Sequence, residues 1–279
     1  MTVQTIAVAI ALLGQLSGVS SERHLSWRVI GGQDAEDGLY PYQVSVRHQG
    51  YASRKVNETH CRDDFSADYH FGFHTCGGSI ISSEYVLTAA HCVSYEKPVT
   101  FLVVVGTNTL NSGGEAYAVT EIHWHEDFSM WHGQNDVAVL KVSPPIEFAD
   151  NIRPVRVDED IEVEVLDEVT LSGWGTTDRT SMTPNKLQHI KLRLLDVDYC
   201  DSQHQLAVTD SQLCTSTFHG KGACKGDSGG PLVKVHSNNG TRQIGIVSFS
   251  RNCAAGYPDV YARVASYIPW IKEKCNNCI

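Results

Sequence analysis

The sequence predicts an all-β fold, a barrel or a sandwich, because short runs of β-branched and apolar residues alternate with turns from Tyr42 onward. The clearest of these runs are residues 43–46, 100–105, 136–142 and 169–172. Only residues 264–273 show helical spacing, with Tyr267, Ile268 and Ile271 on one face. We therefore expect a long series of strands that ends in one short helix.

Length and composition limit the architecture. The chain has 279 residues, enough for one large all-β unit or two modest domains. Its hydrophobic content of 42% fits a globular protein with a substantial core, and the proline-bearing segment 143–154 is the best candidate link between two halves. A net charge of -10 and the lack of a basic run argue against nucleic-acid binding.

Residues 1–20 have the pattern of a signal peptide. The apolar run 6–13 is too short to span a bilayer, and small residues at 18–20 predict cleavage after Ser20. The start carries no Lys or Arg, and the alternative is a buried strand or helix at the N-terminus. No other segment is long and apolar enough to be transmembrane, so we expect a secreted, extracellular protein with no membrane partner.

Covalent features follow from that compartment. Nine cysteines in a secreted chain imply disulfides, and an odd number leaves at least one over. Two Asn-x-Thr sequons, at Asn57 and Asn239, predict a glycoprotein, although sequons also occur by chance.

The most informative stretch is residues 222–231, Gly-Ala-Cys-Lys-Gly-Asp-Ser-Gly-Gly-Pro. Its glycines allow the backbone to approach a substrate and to direct the N–H groups of Gly226 and Ser228 at one point, where an oxyanion could be held. A serine hydroxyl is a weak nucleophile until a base takes its proton. The chain must therefore also supply a histidine, and a carboxylate to orient it.

The order of these residues excludes one class of hydrolase. Residues 226–230 also fit the Gly-x-Ser-x-Gly pattern of α/β-hydrolases, which requires the order serine, acid, histidine. Only His236 follows Ser228, and no Asp or Glu lies between them. The order histidine, aspartate, serine remains open.

His91 and Asp136 are the candidates for the other two positions. His91 follows an apolar strand and precedes Cys92, and a disulfide from Cys92 to Cys76 could clamp its loop. Asp136 precedes a nearly continuous apolar strand, so it can be buried where that strand begins. A buried carboxylate needs partners, and His91 would be one.

Residues 28–32, Arg-Val-Ile-Gly-Gly, resemble a site of proteolytic activation, since a basic residue precedes a small apolar start. The alternative is a plain turn at Gly31 and Gly32.

Five motifs in order resemble the chymotrypsin-like (trypsin family) serine endopeptidases. They are residues 28–32, 88–92 (Thr-Ala-Ala-His-Cys), 135–140 (Asn-Asp-Val-Ala-Val-Leu), 172–175 (Ser-Gly-Trp-Gly) and 226–231 (Gly-Asp-Ser-Gly-Gly-Pro). The resemblance runs from Val29 to the C-terminal helix and, within the family, is strongest to insect chymotrypsins and brachyurins. It implies two antiparallel six-stranded β-barrels of chymotrypsin type with a C-terminal helix, and an active site between the barrels.

The resemblance also implies a domain organisation. We expect a signal peptide over residues 1–20, an activation propeptide over 21–28 and a peptidase domain over 29–279. The N-terminal barrel would occupy about 29–150 and the C-terminal barrel about 151–279.

By the same resemblance, His91, Asp136 and Ser228 form a catalytic triad, and the amides of Gly226 and Ser228 form the oxyanion hole. Cleavage after Arg28 would free the amino group of Val29, which would pair with Asp227 and order the oxyanion loop.

The primary pocket is implied to involve Gly222, Ser248, Phe249, Ser250 and Asp259. Gly222 stands where trypsins have an aspartate, which predicts cleavage after large apolar residues. Asp259 replaces a usual glycine, as in some brachyurins, which predicts a weaker cleavage after Arg or Lys. The alternatives are that Asp259 only bonds to the pocket backbone or water and selects nothing, or that specificity is trypsin-like or collagenolytic and broad. Lys225 and Arg251, expected near the rim, would repel a cation.

Six cysteines match pairs of the family: Cys76 with Cys92, Cys200 with Cys214, and Cys224 with Cys253. Cys61, Cys275 and Cys278 do not. Cys61 lies in an unusually long loop between His48 and His74. It could pair with a C-terminal cysteine, within or between chains, or stay a spare thiol on a solvated loop.

Neither a metal nor a cofactor is expected. His123, His125 and His132 could suggest a metal site, but no fourth-ligand pattern accompanies them, which favours a solvated loop. The acid-rich calcium loop of trypsins has no clear counterpart in residues 108–115, where Glu115 is the single acid.

Two functions compete at this point. One is an active secreted endopeptidase whose partners are protein or peptide substrates, an activating trypsin-like protease and protein protease inhibitors. The other is a non-catalytic homologue that acts as a binding module. All three triad motifs are intact, which favours the enzyme.

Overall fold

A computed structural model describes residues 30–48, 72–94, 100–177, 183–217, 220–236 and 240–279. The expectations for the signal peptide, Arg28, Val29, Cys61 and the asparagines of both sequons concern positions outside these residues. Within the described ranges, no helix is long and apolar enough to cross a membrane.

Thirteen strands and two α-helices make up the described chain. The strands are β1 (Gln33–Asp34), β2 (Gln43–His48), β3 (Phe73–Ile80), β4 (Tyr85–Thr88), β5 (Phe101–Val105), β6 (Glu115–Trp124), β7 (Ala138–Ser143), β8 (Glu168–Gly173), β9 (Gln188–Leu195), β10 (Gln212–Thr215), β11 (Pro231–His236), β12 (Gly240–Phe249) and β13 (Asp259–Arg263). The helices are α1 (Val197–His204) and α2 (Ile268–Lys274).

The strands form two closed antiparallel six-stranded barrels, which confirms the predicted fold. The first barrel has the order β2-β3-β4-β7-β6-β5. The second has the order β8-β9-β10-β13-β12-β11 and closes through the pairing of β8 with β9. The segment between β7 and β8 carries the chain from one barrel to the other.

Each barrel is filled by its own apolar residues. In the first, Val44, Leu87 and Leu140 come from three strands and are all fully buried. In the second, Leu171 and Leu232 lie opposite each other on paired strands, and both are fully buried. Strands that turn one face into a filled barrel require this apolar content, which is why the sequence shows the runs.

The first and the last elements of the described chain each pack on the opposite barrel. Near the N-terminus, β1 pairs with β9 of the second barrel. At the C-terminus, Ile268 and Ile271 of α2 are buried in the core of the first barrel. The predicted C-terminal helix is thus confirmed, and its apolar face clamps the barrels together.

Helix α1 was not predicted by the sequence analysis, which found helical spacing only near the C-terminus. Asp196 caps α1 by accepting a hydrogen bond from the backbone N–H of Tyr199 at 3.0 Å. The Cys200–Cys214 disulfide ties the helix to β10. The Asp196 cap and the Cys200–Cys214 disulfide therefore stabilise α1, which lacks the apolar stripe by which a helix is recognised in a sequence.

Four disulfides join cysteines within the described ranges. The three pairings expected from the family, Cys76–Cys92, Cys200–Cys214 and Cys224–Cys253, are confirmed. The fourth joins Cys275 to Cys278 just after α2. A bond from Cys61 to a C-terminal cysteine was therefore the wrong alternative, because those two cysteines pair with each other.

The barrels meet through buried polar contacts. Ser79 Oγ donates to Gln243 Oε1 at 2.5 Å, and Ser172 Oγ donates to Gln43 Oε1 at 2.6 Å. The backbone N–H of Gly77 donates to the carbonyl of Ser228 at 2.8 Å. A Cβ on Gly77 would lie 2.8 Å from Gly230 Cα, so only glycine permits this close approach.

The clamp by α2 predicts a large stability effect. Ile271→Ala removes a side chain that is 0% exposed, and we expect it to lower the free energy of unfolding by about 2–5 kcal/mol. Val235→Ala, at a side chain that is 66% exposed, should change it by less than about 0.5 kcal/mol. Urea unfolding under non-reducing conditions measures both, and equal effects would contradict the role given to α2.

Candidate active site

His91 and Asp136 come together at the edge of the first barrel. His91 lies in a short 3-10 turn, Ala90–Cys92, directly after β4, and the Cys76–Cys92 disulfide holds that turn. Asp136 lies two residues before β7, which pairs with β4. His91 Nδ1 is 2.7 Å from Asp136 Oδ2, and the backbone N–H of His91 donates to Asp136 Oδ1 at 2.9 Å.

Asp136 is 2% exposed and well satisfied. Besides its two contacts with His91, it accepts a hydrogen bond from Ser248 Oγ at 2.6 Å. Three donors offset the cost of burying a carboxylate and fix its orientation. The family resemblance implied Ser248 only as a residue of the primary pocket, and no pattern in the sequence indicated its support of Asp136.

The loop of Ser228 packs against the strand that leads to His91. Gly229 has φ +74°, and a Cβ there would collide with Thr88 Oγ1 and would lie 2.7 Å from the carbonyl oxygen of Gly77. The N–H of Gly229 donates to the carbonyl of Val247 at 2.8 Å. The loop is therefore held between β4 of the first barrel and β12 of the second.

Asp227 anchors the same loop from inside. It is 0% exposed and accepts hydrogen bonds from the backbone N–H groups of Gly175 at 2.7 Å and Cys224 at 2.9 Å. Burial raises its pKa to about 6, although both hydrogen bonds act in the opposite direction. A Cβ on Gly173 or Gly175 would collide with its carboxylate, which explains the two glycines of the Ser-Gly-Trp-Gly motif.

His74 is a site residue that sequence analysis used only as a loop boundary. Its Nε2 donates to the carbonyl of Gly226 at 3.0 Å, so its Nδ1 accepts from Ser45 Oγ at 2.9 Å. Burial, and less strongly the charge of Arg47, lower its pKa to about 4, against the raising effect of the Gly226 bond. His74 is therefore a neutral support of the Ser228 loop, and no local sequence pattern identifies it.

The predicted pocket residues Gly222 and Asp259 lie together. Gly222 has φ +156°, and a Cβ there would lie 2.5 Å from Asp259 Oδ2. Asp259 is 1% exposed, its Oδ2 accepts from the N–H of Ala223 at 2.6 Å, and its Oδ1 has no hydrogen-bond partner among the described residues. Burial, with a smaller contribution from Asp227, raises the pKa of Asp259 well above its usual value.

Of the other predicted pocket residues, Ser250 contacts this segment, whereas Ser248 and Phe249 line the cleft beside His91. Ser250 Oγ donates to the carbonyl of Ala223 at 3.4 Å. The guanidinium of Arg251 lies 4.4 Å from the ring centroid of Tyr257, whose carbonyl accepts from Thr217 Oγ1. Both Arg251 and Lys225 are exposed.

A cleft of about 370 Å³ adjoins His91, and most of its apolar lining was not predicted from the sequence. Its apolar lining comprises Phe128, Met130, Trp131, Leu206 and Phe249. The ring of Phe249 packs on Gly133, where a Cβ would lie 2.5 Å from the ring. Trp131 is 88% exposed, which leaves its ring free to contact a bound chain. The available signal was the group of three large apolar residues, Phe128, Met130 and Trp131, shortly before Asp136.

The histidines considered as metal ligands have separate partners. His123 Nε2 is 3.4 Å from Glu121, His125 stacks on Trp270 at 5.3 Å, and His132 Nδ1 is 3.1 Å from Ser129 Oγ. The one close group of histidine and cysteine in the described chain is His91 with Cys76 and Cys92. Those cysteines form a disulfide and are not available as thiolate ligands.

The family model described as trypsin matches residues 29–271. The chain belongs to the trypsin family. Chymotrypsin-2 of Vespa crabro is 38% identical over 245 residues, which cover 88% of this chain and 99% of that protein. Trypsin epsilon of Drosophila erecta is 34% identical, covering 89% of this chain and 88% of that protein. Vitellin-degrading protease of Bombyx mori is 30% identical, with coverages of 98% and 95%.

Membership of the trypsin family, with these named proteases as relatives, makes the chain a serine endopeptidase. Its substrates are therefore proteins.

The apolar wall predicts a preference beyond the primary pocket. Trp131→Ala should lower kcat/KM by roughly ten- to hundredfold for peptides with apolar residues before the cleaved bond, since burial of a large apolar side chain contributes about 1.5–3 kcal/mol. Single-residue amides, too short to reach Trp131, should be unaffected. Trp124→Ala, also an exposed tryptophan but outside this cleft, is the matched control. Equal losses on long and short substrates would contradict the assignment.

Proposed function

We propose that this chain is a secreted serine endopeptidase, made as a zymogen, that cleaves after large apolar residues and more slowly after Arg or Lys. Residues 1–20 are proposed as the signal peptide, 21–28 as the propeptide and 29–279 as the peptidase domain, with its barrels divided near residue 150. The observation that carries the proposal is the His91–Asp136 pair, oriented beside the loop of Ser228.

His91 is the general base in this proposal. A carboxylate only accepts hydrogen bonds, so the 2.7 Å contact requires His91 Nδ1 to donate to Asp136 and leaves Nε2 free to take a proton. Ser228 Oγ attacks the peptide carbonyl, and His91 takes its proton and passes it to the leaving amine. Water then hydrolyses the acyl-enzyme by the same route, while Asp136 stabilises the imidazolium.

The oxyanion hole is assigned to the N–H groups of Gly226 and Ser228. Each of these N–H groups belongs to a peptide bond whose carbonyl oxygen accepts a hydrogen bond and is thereby held in place. The carbonyl of Lys225 accepts from the N–H of Thr176 at 2.8 Å, and that of Asp227 accepts from Gly230 at 2.9 Å. In a trans peptide, a fixed carbonyl directs the N–H the other way. One such donor contributes about 3 kcal/mol to transition-state stabilisation.

Activation is proposed to occur by cleavage after Arg28. Asp227 is fully buried and its two hydrogen bonds come from neutral backbone groups, so a cation beside it would offset the cost of burying an unpaired charge. The carbonyl of Ile30 accepts from the N–H of Gly222 at 3.3 Å, which brings the residue next to Val29 into this region. The ammonium group of a newly freed Val29 would supply the missing charge.

Primary specificity is assigned to the pocket of Gly222 and Asp259. An absent side chain at Gly222 leaves depth for a large apolar residue. The unpartnered Oδ1 of Asp259 offers an acceptor to the tip of a long basic side chain. Lys225 and Arg251 lower the rate for such substrates by repulsion.

Secretion is supported by the four disulfides, which persist in oxidising compartments. An activating protease and protein inhibitors are proposed as partners.

Replacement of the nucleophile tests the catalytic assignment. Ser228→Ala should lower turnover by roughly a millionfold, the scale seen when a triad nucleophile is lost. A fluorophosphonate probe should label the cleaved wild type and not the variant. Absence of labelling in folded, cleaved wild type would favour a binding module, and a tenfold loss of turnover would mean that another serine is the nucleophile.

Replacement of Arg28 tests activation. Arg28→Gln should leave the secreted protein nearly inactive after treatment with a trypsin-like enzyme, because the amino group of Val29 stays in a peptide bond. Amino-terminal sequencing and amide hydrolysis measure the two steps. Full activity of the treated variant, with the bond after residue 28 intact, would refute this route.

Replacement of Asp259 tests specificity. Asp259→Gly should abolish cleavage after Arg and spare cleavage after Phe, since only the basic side chain uses the carboxylate. Matched Phe and Arg amides measure both activities. Preference for Arg over Phe in the wild type would instead support trypsin-like specificity.

A further inference from the structure

Two buried carboxylates are fixed on consecutive amides of one short segment. Ala223 N–H donates to Asp259 and Cys224 N–H donates to Asp227, at 2.6 and 2.9 Å. Both side chains are at most 1% exposed, and neither forms an ion pair among the described residues. Two buried anions held on adjacent amides repel each other, so protonation of one relieves the repulsion.

Asp259 is the carboxylate that protonates more readily. Asp227 accepts two backbone hydrogen bonds, whereas Asp259 accepts one and leaves Oδ1 unpartnered. Burial, supplemented by the charge of Asp227, raises the pKa of Asp259 well above its usual value. A cation beside Asp227 would remove part of this repulsion but not the larger cost of burial.

The remaining charged and titratable groups around Asp259 do not offset this cost. Tyr261, on the same strand, is fully buried, bonds to Thr215 at 3.1 Å, and has its own pKa raised by burial and by Asp259. Lys221, Lys225 and Arg251 are exposed to solvent, so their charges act only weakly on the buried carboxylate of Asp259.

We propose that Asp259 is a proton-gated acceptor for basic side chains, so that cleavage after Arg switches on with rising pH while cleavage after Phe does not. This inference rests on the proposed function of the pocket. In the neutral form, the carboxyl group cannot pair with a guanidinium, and an arginine in the pocket would bury an unpaired charge. In the anionic form, the two charges pair. Arginine itself stays charged throughout.

The direction of the pH dependence follows from the raised pKa of Asp259. Asp259 is neutral below its pKa in the folded protein and anionic above it. The ratio of kcat/KM for an Arg amide to that for the matched Phe amide should therefore rise roughly tenfold per pH unit below that pKa and level off above it. Ionisation that alters only the catalytic steps shared by the two substrates cancels in the ratio.

The test measures this ratio from about pH 6 to pH 10 on the activated enzyme. Asp259→Asn keeps the acceptor for Ala223 but cannot ionise, and its ratio should be low and independent of pH. Asp150→Asn removes one exposed carboxylate elsewhere and should keep the wild-type profile. A wild-type ratio that is flat, or a rise that persists in Asp259→Asn, overturns the inference.

A binding measurement separates this inference from the proposed function. Benzamidine, an aromatic amidinium, should bind activated Ser228→Ala more tightly as pH rises, by the same factor per unit, and should displace a proton from the protein below the pKa of Asp259. If benzamidine binding is independent of pH and cleavage after Arg is measurable, the proposed protonation switch at Asp259 is refuted but the dual specificity is not. Phe cleavage without Arg cleavage or benzamidine binding at any pH overturns both.

Discussion

The buried carboxylate of Asp227 is the constraint on which the rest of the site depends. It is fully enclosed and bonds to the backbone N–H groups of Gly175 and Cys224, so it joins two loops of the second barrel. Because a buried carboxylate tolerates few geometries, the residues on either side of it are fixed as well. Gly226 and Ser228, the proposed oxyanion donors, are its immediate neighbours.

The same loop depends on the first barrel. His74 of β3 holds the carbonyl of Gly226, and the N–H of Gly77 on the same strand holds that of Ser228. On the other side, β4 leads to His91 and pairs with β7, before which Asp136 lies. Closing one barrel therefore positions the histidine and aspartate together, and docking the second barrel brings the serine loop to them.

Several positions around the site require glycine, because a buried carboxylate or a neighbouring strand lies too close for a Cβ atom. Gly173 and Gly175 leave room for Asp227, and Gly229 leaves room for Thr88. In the pocket, Gly222 leaves room for Asp259. The adjacent N–H groups of Ala223 and Cys224 bind the carboxylates of Asp259 and Asp227. The proposed specificity determinant, Asp259, is thereby linked to Asp227, the proposed partner of the freed amino group.

By itself, the sequence determined the all-β character and the C-terminal helix, because these follow from the local apolar pattern. Its motifs, through their resemblance to a family, implied the three disulfides and pointed to His91, Asp136, Ser228 and Asp259. It did not determine α1, the Cys275–Cys278 bond, the support of Asp136 by Ser248, the role of His74 or the apolar wall at Trp131. The support of Asp136 by Ser248, the role of His74 and the apolar wall depend on contacts between segments far apart in the chain. The cap of α1 and the Cys275–Cys278 bond are local, but neither follows an apolar period or a motif of the family. Ser248 and Asp136 are 112 residues apart, and His74 and Gly226 are 152 apart. Only closure and docking of the barrels bring such residues within hydrogen-bond distance, and no local pattern encodes that step.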